Sequence, residues 1–256
     1  MNFKCVTWNV GMRKLPENSP IPYAILQELQ TCDADIICLQ EIELRRKKGK
    51  HGINTGIIYF ESLLDKYNYV IHDVDDVKLY EGNLTLFKKG LFKLINSKKQ
   101  FSFVEQPNQP VYLKALCVYL QYIPTNKCVC FMNVHLKAGY NTFEDRRVQE
   151  VQCLLEYLRE STVVCMCGDF NDNLKPGRKL EQLLRDSFTI EQSPPSCYTR
   201  TGYSSFDKIL SRGFTFKYID NVRNNDYVKK CTIVPDAVVP SDHLPIGGDA
   251  SLPLAP

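Results

Sequence analysis

Seven short runs punctuate the chain and leave little choice of fold class. They are FKCVTWN (3–9), DIICLQ (35–40), NLTLF (83–87), YLKALCVYLQYI (112–123), KCVCFMNVH (127–135), TVVCMCGD (162–169) and FDKIL (206–210). Each is rich in β-branched and aromatic residues and bounded by turn formers, which is how strands read. Helical spacing falls between them. It is clearest over 143–160, where Val148, Val151, Leu154, Leu155 and Leu158 repeat on one face. Glu144, Arg146, Arg147, Glu150 and Glu156 populate the other faces. The same reasoning predicts helices over 55–67 and from about 177 to 186. Single helices set between groups of strands imply two sheets packed face to face with helices outside, an α/β sandwich. No linker or repeat divides the 256 residues, so one domain is expected over 1–256.

Composition narrows the class without naming a function. The net charge of +3 permits a phosphate-bearing substrate but is far from that of a protein that coats nucleic acid. The eleven cysteines are odd in number, and Cys38, Cys128, Cys130, Cys165 and Cys167 lie inside apolar runs. Cysteine there behaves as a small buried hydrophobe rather than a disulfide half, and no CxxC pair suggests zinc. No leader and no membrane-length apolar stretch is visible, so a protein of cytosol or nucleus is expected, away from membranes.

Five patterns carry polar residues out of strand-like runs: TWNV (7–10), LQE (39–41), NVHLKA (133–138), GDFND (168–172) and SDHLPI (241–246). Strand exits are where a rigid sheet presents functional groups. Among the residues they supply are the acids Glu41, Asp169 and Asp242, the amides Asn9 and Asn171 and the histidines His135 and His243. Hard oxygen donors of this kind suit Mg²⁺. Attack of water on a phosphate needs a base for the water, donors for the phosphoryl oxygens and a metal, and the inventory matches. His51 and His72 occur in no such context and read as surface residues. The basic run 44–52 reads as a solvated loop or as a phosphate contact beside LQE.

Taken in order, TWN, LQE, NVHLKA, GDFND, FDKI and SDHLPI resemble the endonuclease/exonuclease/phosphatase superfamily of DNase I-like enzymes, over residues 7–246. The resemblance implies a four-layer α/β sandwich, two mainly antiparallel sheets flanked by helices, with the site at one rim. It implies that Glu41 binds catalytic Mg²⁺, with Mn²⁺ a substitute, and that Asn9 stands beside it as a metal residue. Asp169 would orient or deprotonate the attacking water. Asn171 and His135 would hold phosphate oxygens. Asp242 would pair with His243, which contacts the scissile phosphate or acts as general acid/base. Asp207 matches the acid that orients His135.

HLKA, EGNLTLFKKG (81–90), EDRRVQEVQ (144–152) and SDHLPI are most similar to the CCR4/nocturnin-like deadenylase branch. That similarity implies 3′-to-5′ removal of adenosines from single-stranded RNA, or attack on a related oligoadenylate, with Asn83 at the substrate. Base-stacking candidates are Tyr140, Phe143, Tyr198 and Tyr203. Two other enzyme readings stay open. One is an inositol phosphatase, since FDKIL places a base after the acid. The other is a DNA-repair endonuclease, for which Lys88, Lys89, Lys93, Lys98 and Lys99 would form a ridge. A scaffold that has lost catalysis would be expected to lack one of Glu41, Asp169, Asn171, Asp242 or His243, and all are present.

Overall fold

Side chains alternate across the strands, and this alternation builds the molecule in layers. The computed structural model describes residues 2–12, 21–44, 55–72, 81–106, 109–139, 142–199, 202–219 and 241–253. In chain order the elements begin with β1 (Asn2–Asn9), α1 (Ile21–Cys32), β2 (Ile36–Glu43), α2 (Thr55–Ile58), β3 (Tyr67–Ile71) and β4 (Glu81–Lys88). There follow β5 (Phe92–Lys98), β6 (Phe101–Gln106), β7 (Gln109–Tyr122), β8 (Lys127–His135), α3 (Glu144–Tyr157) and β9 (Val164–Asp169). The chain continues through α4 (Lys179–Arg185), β10 (Cys197–Thr199), β11 (Gly202–Ser204), β12 (Asp207–Arg212), β13 (Thr215–Tyr218) and β14 (Ile246–Ser251).

One sheet runs β13-β14-β1-β2-β4-β3 and the other β12-β9-β8-β7-β5, with β6 also paired to β7. Among the described residues only β1–β2 and β8–β9 pair parallel; the remaining pairs are antiparallel. One core fills the space between the sheets. A second lies between the first sheet and α1, and a third between the other sheet and α3 with α4. This is the expected four-layer sandwich. No helix among the described residues is long and apolar enough to cross a membrane.

The inward-facing residues form rungs along the sandwich. At one end is an aromatic cluster of Phe3, Phe92, Tyr122 and Phe131. Next come the buried thiols Cys5, Cys38, Cys165 and Cys167. Then amides and hydroxyls meet across the sheets. Gln40 Nε2 donates to Thr7 Oγ1 at 2.9 Å and to Asn133 Oδ1 at 2.8 Å. Asn133 Nδ2 in turn donates to the carbonyls of Leu39 and Leu84, both at 3.1 Å. The last rung, one step further along β1, β2, β8 and β9, holds Asn9, Glu41, His135 and Asp169. Here β8 and β9 approach so closely that a Cβ on Gly168 would lie 1.9 Å from the Val134 carbonyl oxygen. At φ +138°, glycine is required there on both counts.

Four sequence expectations need correction. Residues 55–67 form only the short α2 and a 3₁₀ turn at Glu61–Leu63 before β3 begins. Ile57, Phe60, Leu63 and Tyr67 have helical spacing, but two separate turns bury the same set beneath the sheet. Helix α1 was not anticipated: its buried stripe is only Ile25, Leu29 and Cys32, and it opens with Pro22, which a first turn tolerates. Cys128 is exposed, since its side of β8 lies at the strand start. His72 is not a surface residue but only 3% exposed. Its Nε2 donates to the Ala115 carbonyl at 2.8 Å and its Nδ1 accepts from Asn83 N at 3.0 Å. Gly82 makes room for it, because a Cβ there would stand 2.8 Å from the His72 Cβ.

Candidate active site

The site sits where β1, β2, β8 and β9 end and where β4 and β12 begin, just before β14. Asn9 ties two acids together: its Nδ2 donates to Glu41 Oε1 at 3.2 Å and to Asp169 Oδ2 at 3.0 Å. Its Oδ1 accepts from Gly11 N at 3.2 Å. The amide thus bridges the two acids, nitrogen toward Glu41 and Asp169 and oxygen toward the Gly11 backbone.

Glu41 reaches the site through a bulge in β2 between Leu39 and Ile42. It has φ 57°, and Asn171 has φ 50°, both in the left-handed region that side chains avoid. Backbone held in this way gathers at functional sites, and here both residues belong to motifs singled out in the sequence. The Asn171 backbone N–H donates to Asp169 Oδ1 at 2.8 Å, and its side-chain Nδ2 donates to the Leu136 carbonyl at 2.9 Å. The two loops after β8 and β9 are thereby latched together.

The histidines face the same carboxylate. His135 Nε2 and His243 Nε2 both lie 3.7 Å from Asp169 Oδ2, and His135 Nε2 is 3.6 Å from Glu41 Oε1. His243 Nδ1 is bonded to Asp207 Oδ2 at 2.8 Å. Ser241 fixes the loop that carries His243, donating to the Asn9 carbonyl at 2.7 Å and accepting from His243 N at 3.1 Å. Trp8 Nε1 donates to the His243 carbonyl at 2.9 Å.

Electrostatics divide the roles. Burial pushes the Asp169 carboxyl above the usual carboxylate range, against the pull of His243. Burial pushes His135 down to about 4, so it is neutral at pH 7. Burial opposes charge on His243 too, but the carboxylates of Asp207 and Asp169 outweigh it and hold the imidazole well above its ordinary value. One histidine is neutral and the other cationic around a single buried acid.

Other expected roles change. Asp242 does not pair with His243: it is exposed, and Asp207 already occupies Nδ1. Asp207 therefore orients His243, not His135. Asn83 is not on the substrate surface but fully buried, its Nδ2 donating to the carbonyls of Lys114 at 3.0 Å and Asn133 at 2.8 Å. Lys208 turns to the outer face of its sheet and donates to Ser193 Oγ at 2.7 Å, with burial lowering its ammonium to about 8. Lys88 closes the opposite end of β4, paired with Asp33 and Asp35. Phe143 is exposed, with the Lys137 ammonium 5.1 Å from its ring centroid. Residues 45–52 with His51, Tyr140, and the side chains of Tyr198 and Tyr203 lie outside the described residues.

Two groups at the rim escaped sequence reasoning. Glu81 and Lys114 form an ion pair there. Ligand atoms of Glu81, Glu41 and His135 lie within 4.8 Å of one another. A period-2 reading of EGN would have found Glu81, which shares a strand face with Asn83. Arg147 was assigned to a polar helix face but is fully buried. It donates to the Lys137 and Gly139 carbonyls at 3.0 and 3.1 Å and to Asp172 at 3.2 Å. Carboxylates and imidazole with no thiol among them are a donor set that fits a hard divalent cation such as Mg²⁺ or Mn²⁺.

Residues 6–243 match the Endonuclease/Exonuclease/phosphatase family. The chain is 22% identical over 286 residues to the CCR4-Not complex 3′-5′-exoribonuclease subunit Ccr4 of Debaryomyces hansenii, covering 87% of this chain and 34% of that protein. It is 27% identical over 198 residues to Nocturnin of Xenopus laevis, covering 66% of this chain and 47% of that protein. The chain thus spans a third to a half of the length of these curated relatives. A solved structure of ANGEL2, a 2′,3′-cyclic phosphatase, in complex with adenosine-2′,3′-vanadate has the same fold. Its TM-score is 0.74 at 17% identity, covering 98% of this chain and 96% of that one. The family match runs from β1 to the histidine before β14, through every strand end that builds the rim, and the chain belongs to the endonuclease/exonuclease/phosphatase family.

Proposed function

We propose that the chain is a metal-dependent phosphodiesterase that hydrolyses a phosphate ester with an activated water, and that its substrate is the 3′ end of adenosine-rich single-stranded RNA or a related oligoadenylate. The observation that carries the chemistry is the buried Asp169 carboxylate between two imidazoles, each with Nε2 3.7 Å from its Oδ2, one of them fixed by Asp207. An acid whose pKa burial has raised is a stronger base than an exposed one, and Asp169 takes the proton of the attacking water. His243, cationic and held by Asp207, donates from Nε2 to the phosphoryl group. Neutral His135 offers one N–H to a phosphoryl oxygen, and Asn171 offers the second hydrogen of its amide. A divalent cation held by Glu41 would supply charge neutralisation at the phosphate.

The adenosine-RNA reading is supported by two findings. One is the relative named as a 3′-5′-exoribonuclease subunit; the other is the adenosine-2′,3′-vanadate bound in the ANGEL2 structure of the same fold. The lysine ridge expected of a duplex-DNA enzyme is weakened, since Lys88 lies at the far end of β4 in an ion pair with acids.

The test is Mg²⁺-dependent cleavage of 3′-adenylated single-stranded RNA, 2′,5′-oligoadenylate, an adenosine 2′,3′-cyclic phosphate end, abasic duplex DNA and an inositol polyphosphate. Stepwise shortening of the adenylated RNA, reduced about 10²–10⁴-fold in Asp169→Asn, is expected. Cleavage of only the cyclic phosphate, the abasic duplex or the inositol compound would overturn the RNA reading while keeping the mechanism. Full activity in Asp169→Asn would overturn the mechanism.

A further inference from the structure

Glu81 opens β4 opposite Glu43 in register, where the bulge in β2 turns Glu41 toward the same space. The carboxylates of Glu41 and Glu81 and an imidazole nitrogen of His135 converge within 4.8 Å of one another. His135 is the informative member. Its side chain is only 4% exposed, yet it makes no hydrogen bond among the described residues, and Nδ1 has no partner. Its Nε2 stops at 3.6 and 3.7 Å from the nearest carboxylate oxygens, beyond hydrogen-bond reach. A buried polar group without a partner is costly, so a ring held short of two acids points to a species that belongs between them.

Lys114 supplies the second clue. It stands on β7 directly opposite His135 in register, and its ammonium contacts Glu81 Oε1. Its side chain is 28% exposed, so the ammonium has solvent to retreat into. A lysine ammonium is a compact charge on a flexible stem, well suited to giving way.

We propose that Glu81 is a second carboxylate ligand of the divalent-cation site, beside Glu41, and that Lys114 is its exchangeable counter-ion, displaced when the cation binds. The inference rests on the reading of Glu41 as the cation's ligand. It adds a residue that none of the motif exits supplies. It also makes cation affinity a competition between an internal ammonium and an external metal. Two carboxylates with water completing the shell is a usual arrangement for Mg²⁺.

The experiment is direct binding of Mn²⁺, followed by the loss of the free-ion paramagnetic resonance signal and repeated with Mg²⁺ as competitor. It uses wild type, Glu41→Gln, Glu81→Gln, Lys114→Met and the double variant Glu81→Gln/Lys114→Met, each checked for an unchanged far-ultraviolet dichroism spectrum. Glu81→Gln should raise the dissociation constant about tenfold or more, and Lys114→Met should lower it. The double variant should bind as weakly as Glu81→Gln, because a missing ligand is not restored by removing its competitor. If Glu81→Gln binds like wild type while Glu41→Gln loses binding, Glu81 is only the partner of Lys114 and the proposal falls. Weakening by Lys114→Met, with recovery in the double variant, would make the pair a structural brace and also overturn it. Unimpaired binding by Glu41→Gln would instead overturn the underlying reading of the cation site.

Discussion

Asp207 and Asp242 are two acids near one histidine, and only one of them governs it. Asp242 is the sequence neighbour of His243, but it sits on a bend closed by the His243 N–H to Ser241 Oγ, and its side chain is exposed. Asp207 is remote in sequence, yet β12 pairs antiparallel with β9 so that Asp207 lies directly across from Asp169. From there its Oδ2 reaches His243 Nδ1 at 2.8 Å. The consequence is a pH dependence with a fixed sign. His243 is raised by Asp207 and Asp169 against the effect of burial, so its cationic form persists through neutral pH and is lost only on the basic side. Asp207→Asn removes an anion that sustains the charge. The basic limb of kcat/KM should move to lower pH, with turnover down by about 10²–10⁴-fold. Asp242→Asn should leave that limb in place. A pH–rate profile of the two variants checks this, and a shifted limb in Asp242→Asn would reverse the assignment. Sequence order made the residue types of the site legible but not their pairing, which depends on strand register.

Helix α3 shows what periodicity reads and what it misses. Its apolar face was predicted from Val148, Val151, Leu154, Leu155 and Leu158; Val151, Leu154 and Leu158 are buried, while Val148 and Leu155 are half-buried. Arg147 and Glu150 were assigned to the polar faces, yet both are buried as well. They anchor the loop that follows His135. Glu150 Oε2 accepts from Lys137 N at 2.9 Å, while Arg147 spans the Lys137 and Gly139 carbonyls and Asp172. Asp172 Oδ1 in turn accepts from Leu174 N at 2.8 Å, closing the turn that holds Asn171. One guanidinium therefore joins the two loops that present His135, Asp169 and Asn171. Charge on a helix face is usually solvated, and only tertiary contact reveals the exception. Removing Arg147 leaves the buried Asp172 with only a longer ionic contact, to Arg178 at 3.4 Å, and a buried charge short of its partner is costly. Arg147→Met should cost about 3–5 kcal/mol in urea unfolding. Asp172→Asn should weaken the same contact and shift stability in the same direction, with activity lost alongside stability in both variants.

Across the whole molecule, polarity is graded along the space between the sheets. It runs from aromatic rings through thiols and amides to carboxylates and imidazoles at the rim. Alternation within each run told which residues share a face, and four of the seven runs lead directly into a motif that reaches the rim. What alternation leaves open is how deep along the axis a residue sits. Asn83 and His72 lie one layer below the rim, and for that reason Asn83 bridges sheets instead of touching substrate, and His72 is core instead of surface. The depth of His72 has a measurable effect. Burial lowers its pKa to about 4, because protonation at Nδ1 would both desolvate a charge and break the bond from Asn83 N. The unfolded chain takes up that proton near the ordinary value of ~6.5. Its contribution to stability is therefore fully present above pH ~6.5 and is lost as pH falls toward 4. For a group this deeply buried the loss amounts to roughly 2–3 kcal/mol by pH ~4.5. His135 has the same sign, since burial lowers it to about 4 as well. Urea unfolding of wild type and His72→Gln at pH 7 and pH 4.5 separates the two. The variant should be somewhat less stable at pH 7, having lost the acceptor for Asn83 N, yet should lose less on acidification than wild type does. Equal acid losses in both proteins would mean that His72 is not held neutral by its surroundings, and that the polar layer beneath the site is open to water.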